Sequence, residues 1–108
     1  MDPNAQFSAA REAIRAGEFA RAESLLRGLM EAVGEEPLVL SMLGVALRRL
    51  GRVEDALDVS ARAAARAPGH AGVLVNFGNL LLDAGRAGEA GDVFGRAVGV
   101  APGVVEAR

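Results

Sequence analysis

With 108 residues, 51% of them hydrophobic, the chain has the size of one domain with a modest core. Its longest apolar runs, such as Leu80-Leu81-Leu82, fall far short of the roughly 20 residues a membrane-spanning helix needs, so no membrane partner is expected. A net charge of −2, with Arg, Asp and Glu interspersed, offers no basic stripe for nucleic acid, and with no cysteine the chain has no disulfide, thiolate nucleophile or sulfur ligand for a metal.

Hydrophobic periodicity predicts six helices at about 4–16, 19–33, 38–50, 53–67, 72–84 and 87–101. The first two enclose the turn Gly17-Glu18-Phe19, with Ala22 and Leu26 following in register. In the third, Leu40, Leu43, Gly44 and Leu47 recur at i, i+3, i+4 and i+7, one apolar stripe. Gly51-Arg52 breaks that helix, and the fourth then aligns the small residues Ala56, Ser60 and Ala63 on one face, so it can lie close against the third. Pro68-Gly69 ends the pair. The fifth helix repeats the stripe as Leu74, Phe77, Gly78 and Leu81; Gly85-Arg86 breaks it; the sixth places Ala90, Phe94 and Ala97 inward; Pro102-Gly103 closes it. Gly44 and Gly78 sit inside apolar stripes although glycine costs about 1 kcal/mol in a helix interior, which predicts close approach of a second backbone there.

The third and fourth helices are therefore one unit, copied. Offsetting 37–70 onto 71–104 matches 14 of 34 positions identically. A weaker copy occupies 3–36, with Gln6, Ala9 and Ala10 where the later copies have Leu40, Leu43 and Gly44. One domain of three repeats over 1–108 is expected, with 104–108 in phase for the start of a fourth and no polar element capping the array.

This pattern of apolar, Gly, Ala and Pro positions at a 34-residue period resembles the tetratricopeptide repeat family. The resemblance implies an all-α, right-handed superhelix of helix-turn-helix hairpins. It also implies that the exposed face of each first helix lines a concave groove holding a protein or peptide segment. That face would carry Asn4, Phe7, Ser8, Arg11, Ile14 and Arg15, then Ser41, Met42, Val45, Arg48 and Arg49, then Val75, Asn76, Asn79, Leu82 and Asp83. The candidate binding residues are Phe7, Met42 and Val45 as apolar anchors, and Arg11, Arg15, Arg48 and Arg49 as partners for carboxylate or phosphate. Asn76, Asn79 and Asp83 complete the set.

Asn is a poor helix former, and two of them three residues apart have two readings: a solvated surface, or carboxamides that bond a bound peptide backbone. The third repeat looks like those of O-linked N-acetylglucosamine transferases, where such asparagines form a ladder; here Asn76 holds that place and Met42 the preceding one. The clamp that chaperone-associated members use for acidic C-terminal tails needs Lys, of which this chain has none; Phe7, Arg11 and Met42 stand at the corresponding places.

An enzyme is not expected, nor a cofactor or bound metal. The chain has no Cys, Lys, Tyr, Trp or Thr, and its single histidine, His70, reads as an exposed loop residue without a partner at ligand spacing. Glu54, Asp55 and Asp58 are explained by the favourable field at a helix start.

Two functions remain. The first is a peptide-binding module at the N-terminus of a longer protein; the second is a spacer or oligomerising array. Self-association, most simply as a dimer, is expected of these residues, because a third repeat without a neighbour would leave Leu80, Val98 and Val100 bare and its second helix contains Gly88, Gly91, Gly95 and Gly99. The Met1-Asp2-Pro3-Asn4 start shows no secretory signal, so the default location is the cytoplasm. A basic set made wholly of Arg, with abundant Ala and Gly, reads as a GC-rich genome rather than a functional choice, and the resemblance to bacterial tetratricopeptide proteins implies a bacterial source.

Overall fold

The computed structural model describes residues 2–100. They form six α-helices, α1 Pro3–Arg15, α2 Phe19–Val33, α3 Pro37–Arg49, α4 Val53–Arg66, α5 Ala71–Asp83 and α6 Ala87–Val100, with no strand among the described residues. Helix ends fall within a residue of those the periodicity predicts. The expected closing Pro102-Gly103 and the start of a fourth repeat at 104–108 lie outside the described residues.

Each hairpin is built from the same local devices. Proline, whose missing N–H costs nothing at a helix start, opens α1 and α3. Asp2 Oδ1 caps α1 by accepting from Ala5 N–H at 2.8 Å. At α5 there is no proline, and His70 caps instead, its Nδ1 accepting from Val73 N–H at 3.2 Å. The first helix of every repeat ends on a glycine in the left-handed region, Gly17, Gly51 and Gly85 at φ 77°, 81° and 77°. This bend lets the next N–H reach back five residues, from Glu18 to the Ala13 carbonyl, Arg52 to Leu47 and Arg86 to Leu81, at 2.8–2.9 Å.

Inside each hairpin the two helices meet at one repeat position. A Cβ on Gly44 would overlap Ser60 Oγ, an obstacle that one side-chain rotation removes, whereas one on Gly78 would lie 2.5–2.8 Å from the Phe94 ring, so glycine is a packing requirement at Gly78. In the first hairpin Ala10 and Leu26, both fully buried, hold the same positions. Gln6, placed where later repeats bury Leu40 and Leu74, is satisfied by donating from Nε2 to the Leu25 carbonyl at 3.2 Å. Gly28 leaves room for it: a Cβ there would be 2.9 Å from that nitrogen.

Hairpins stack through α2 on α3, α4 on α5, and α3 on α5. One apolar core runs through all three, from Ala10 and Leu26 through Leu40, Leu43 and Leu47 to Leu74, Leu81 and Ala97. Each buried leucine is worth roughly 1.5–3 kcal/mol relative to exposure. Outside the core, Arg52 reaches Glu23 at 2.9 Å, and Arg62 and Arg66 both reach Glu35, tying the second repeat to the first. The Glu23 carboxyl is held below its usual range first by the hydrogen bond from Arg27, and then by Arg52.

Leu80 is not bare, contrary to expectation. It is buried in the main core, because it occupies the repeat position of Ala46, which packs back towards Ala13 and Ala22 of the preceding hairpin. Turning about 100° per residue, the three leucines 80–82 put two on the buried arc and leave Leu82 half exposed, at 49%. Val98 and Val100 are exposed, at 38% and 46%, on opposite flanks of α6.

Candidate functional site

The first helices of the three hairpins, α1, α3 and α5, lie side by side and their shared outer face forms a cavity of about 460 Å³. From α1 come Phe7, Arg11, Ile14 and Arg15; from α3 Leu38, Ser41, Met42 and Val45; from the start of α5 Gly72, Val73 and Asn76, with His70 beside them. The walls are mainly apolar, no carboxylate among the described residues lines them, and two guanidinium groups stand at the α1 side. A concave apolar site with a few convergent polar groups is the form small recognition sites take.

Of the residues singled out in the sequence, Phe7, Arg11, Arg15, Met42, Val45 and Asn76 meet in this cavity. The other four do not line it. Arg48 forms an ion pair with Asp83, joining the last turns of α3 and α5. Arg49 turns towards α2, its guanidinium carbon 5.1 Å from the centre of the Phe19 ring. Asn79 is half-buried beside the groove. Val75, placed on the same face by periodicity, packs into the core instead, because α5 lies against both α3 and α4.

Asn76 has a partner within the fold: its Nδ2 donates to Ser41 Oγ at 3.0 Å. Ser41 is itself buried. One donor of the carboxamide therefore ties α3 to α5, and Oδ1 and the second N–H remain. Leu38, His70, Gly72 and Val73 are cavity residues that lie outside the face expected from the sequence. Leu38 stands one helical turn before Met42 and two before Val45, so the same periodicity carried that signal. His70 gave no such signal, since capping by a histidine depends on the loop conformation that brings its Nδ1 to the start of α5.

Arg15 carries an exposed pair with Glu12 at 2.8 Å, three residues apart. Arg11 makes no ion pair among the described residues. No three His, Asp or Glu side chains come together among the described residues in a group that could hold a metal ion.

A stack of antiparallel helical hairpins whose first helices share one open face defines a helical-repeat scaffold for protein interaction. The family model of the tetratricopeptide repeat matches residues 7–71, more than half of the chain, and the chain belongs to that family. Among solved structures it is similar to the TPR domain of Sgt2 from Aspergillus fumigatus, at 17% identity and TM-score 0.87, over 91% of this chain and 65% of that one. It is also similar to a point mutant of MamA, at 26% identity and TM-score 0.79, over 91% of this chain and 72% of that one. A MamA fragment from Desulfovibrio magneticus RS-1 aligns at 14% identity and TM-score 0.83, over 89% of this chain and 54% of that one. The chain thus spans just under two thirds of the Sgt2 domain and about half of the MamA fragment. A search of curated proteins finds no significant match.

Proposed function

We propose that this chain is a non-catalytic binding module that holds a segment of a partner protein along its concave face. The observation that carries this reading is the cavity across α1, α3 and α5, apolar in its walls although it faces solvent. Apolar groups left open to water at the centre of a shared face favour an occupant that covers them. Met42 in the middle can adjust its shape to that occupant, and the arginines at the α1 side suit an acidic one. The test is a selection of random dodecapeptides displayed on phage against the immobilised chain. Enriched peptides are expected to compete with one another for one site and to be lost on Met42→Arg, which fills the cavity, while the melting curve is kept. Peptides that bind equally well to Met42→Arg sit elsewhere and overturn the reading.

A second reading is self-association through the open side of α6. Val98 and Val100 are exposed on the two flanks of the stripe Gly88, Gly91, Gly95 and Gly99, and among the described residues nothing stands within 4 Å of where a Cβ on those glycines would be. Light scattering coupled to size exclusion over a wide concentration range is expected to show a dimer on this reading. A constant monomer mass removes it.

A further inference from the structure

The arginines of the concave face are not equivalent. Arg48 is already engaged by Asp83, whereas Arg11 and Arg15 stand in the cavity wall. Asp83 is the last residue of α5, a position where the helix dipole disfavours a carboxylate, and α5 has no basic residue in its last turn. The last turns of α1 and α3 instead carry the expected cations, Arg15 and the pair Arg48 and Arg49. Asp83 therefore depends on Arg48 across the repeat boundary for its compensating charge. A foreign carboxylate competing for Arg48 would leave Asp83 unpaired at a negative helix end. At the α1 end the balance is the reverse, since Arg11 has no ion-pair partner among the described residues and the exposed pair of Arg15 with Glu12 is worth only about 0–1 kcal/mol.

Building on the groove reading above, we infer that the occupant is an acidic peptide segment with an apolar anchor, bound in one direction. Its carboxylates lie on Arg11 and Arg15 and its apolar side chain against Met42 and Val45, while Asp83 acts as an internal ligand that closes Arg48 to it. The complementarity is local: the chain as a whole is acidic, at −2, yet no acidic residue lines the cavity among the described residues. Asp83 is a specificity-determining residue on this account, because it allows acid recognition at one end only.

The same displayed dodecapeptide library tests the inference, with the wild-type chain and three variants. The wild type is expected to enrich peptides with Asp or Glu on one side of an apolar residue. Arg11→Glu combined with Arg15→Glu is expected to abolish that acidic enrichment. Asp83→Asn is expected to enrich peptides acidic on both sides of the anchor, and to bind a doubly acidic peptide at least about threefold more tightly than wild type. Asp83→Ala repeats this arm should Asp83→Asn fail to fold, and melting curves identify such a failure. Acidic enrichment that survives the double charge reversal, or Asp83 variants that select the wild-type peptides, overturns the inference while leaving the groove reading intact if those peptides still require Met42. A segment from a second copy as the occupant would appear as a dimer dissociated by the Arg11 and Arg15 reversals, and would also overturn it. Absence of any enriched peptide overturns both.

Discussion

Two sets of glycines lie inside helices, and they do opposite things. Gly44 and Gly78 sit at the crossings of their hairpins, where a Cβ would run into the second helix. Gly88, Gly91, Gly95 and Gly99 of α6 face open space, with nothing within 4 Å of where a Cβ would stand. The helix-propensity penalty at interior positions such as Gly44, Gly78, Gly91 and Gly95 is about 1 kcal/mol relative to Ala. At the crossings it is offset by close packing, whereas in α6 nothing within the described residues offsets it. The middle of the stack is therefore held by packing of its hairpins on both sides, and among the described residues α6 is packed on one side only.

Gly78→Ala gives the largest effect expected of these sites. The added methyl must displace the Phe94 ring, which is partly buried against the core, and overpacking of this kind costs about 1–3 kcal/mol. Against a propensity gain of about 1 kcal/mol, the net expectation is a loss of up to about 2 kcal/mol, read by urea unfolding. A variant as stable as wild type would show that the crossing is loose, and the contrast with α6 would fail.

Gly95→Ala is the reciprocal experiment. With open space around the site, the full propensity gain of about 1 kcal/mol is expected, raising the melting temperature by roughly 4–8 °C for a domain of this size. A loss of stability would mean that this face is covered by something in solution. The variant therefore also bears on self-association through α6.

The contrast was half legible in the sequence. The offset of 34 fixed the helices and their turns, because Gly51 and Gly85, and the stripes around Leu40 and Leu74, recur as local patterns tied to helix geometry. Gly44 and Gly78 could be read as close approaches because they interrupt apolar stripes, and the α6 glycines as weakness because they do not. What periodicity could not resolve was which neighbour a face meets. Leu80 and Val75 are buried because α5 packs against both helices of the preceding hairpin, α3 and α4, a fact of stacking rather than of helical phase. The groove shows the same limit. Met42 and Val45 followed from phase, but the pairing of Arg48 with Asp83, 35 residues apart, depends on how two repeats sit together. Of the ten candidate residues, Arg48, Arg49, Asn79 and Asp83 remained outside the cavity for that reason.

The smallest expected effect comes from Gly44, and it separates the two crossings from each other. Only Ser60 Oγ obstructs a Cβ at Gly44; the next atoms, the Ala56 carbonyl oxygen and Ser60 Cβ, would be at ordinary contact distances of 3.5 and 3.6 Å. That hydroxyl is buried and has no hydrogen-bond partner among the described residues, so its position costs desolvation without return. Gly44→Ala alone can be accommodated by rotating one side chain. Its propensity gain and the cost of moving Ser60 are then expected to cancel to within about 0.5 kcal/mol. Ser60→Ala removes both the obstruction and the unsatisfied group, so the double variant is expected to be about 1 kcal/mol more stable than wild type, with favourable coupling in a double-mutant cycle. If Gly44→Ala instead costs as much as Gly78→Ala and Ser60→Ala does not rescue it, the obstacle is the backbone of α4 itself. The two hairpins would then cross equally tightly despite Ser60 in one and Phe94 in the other.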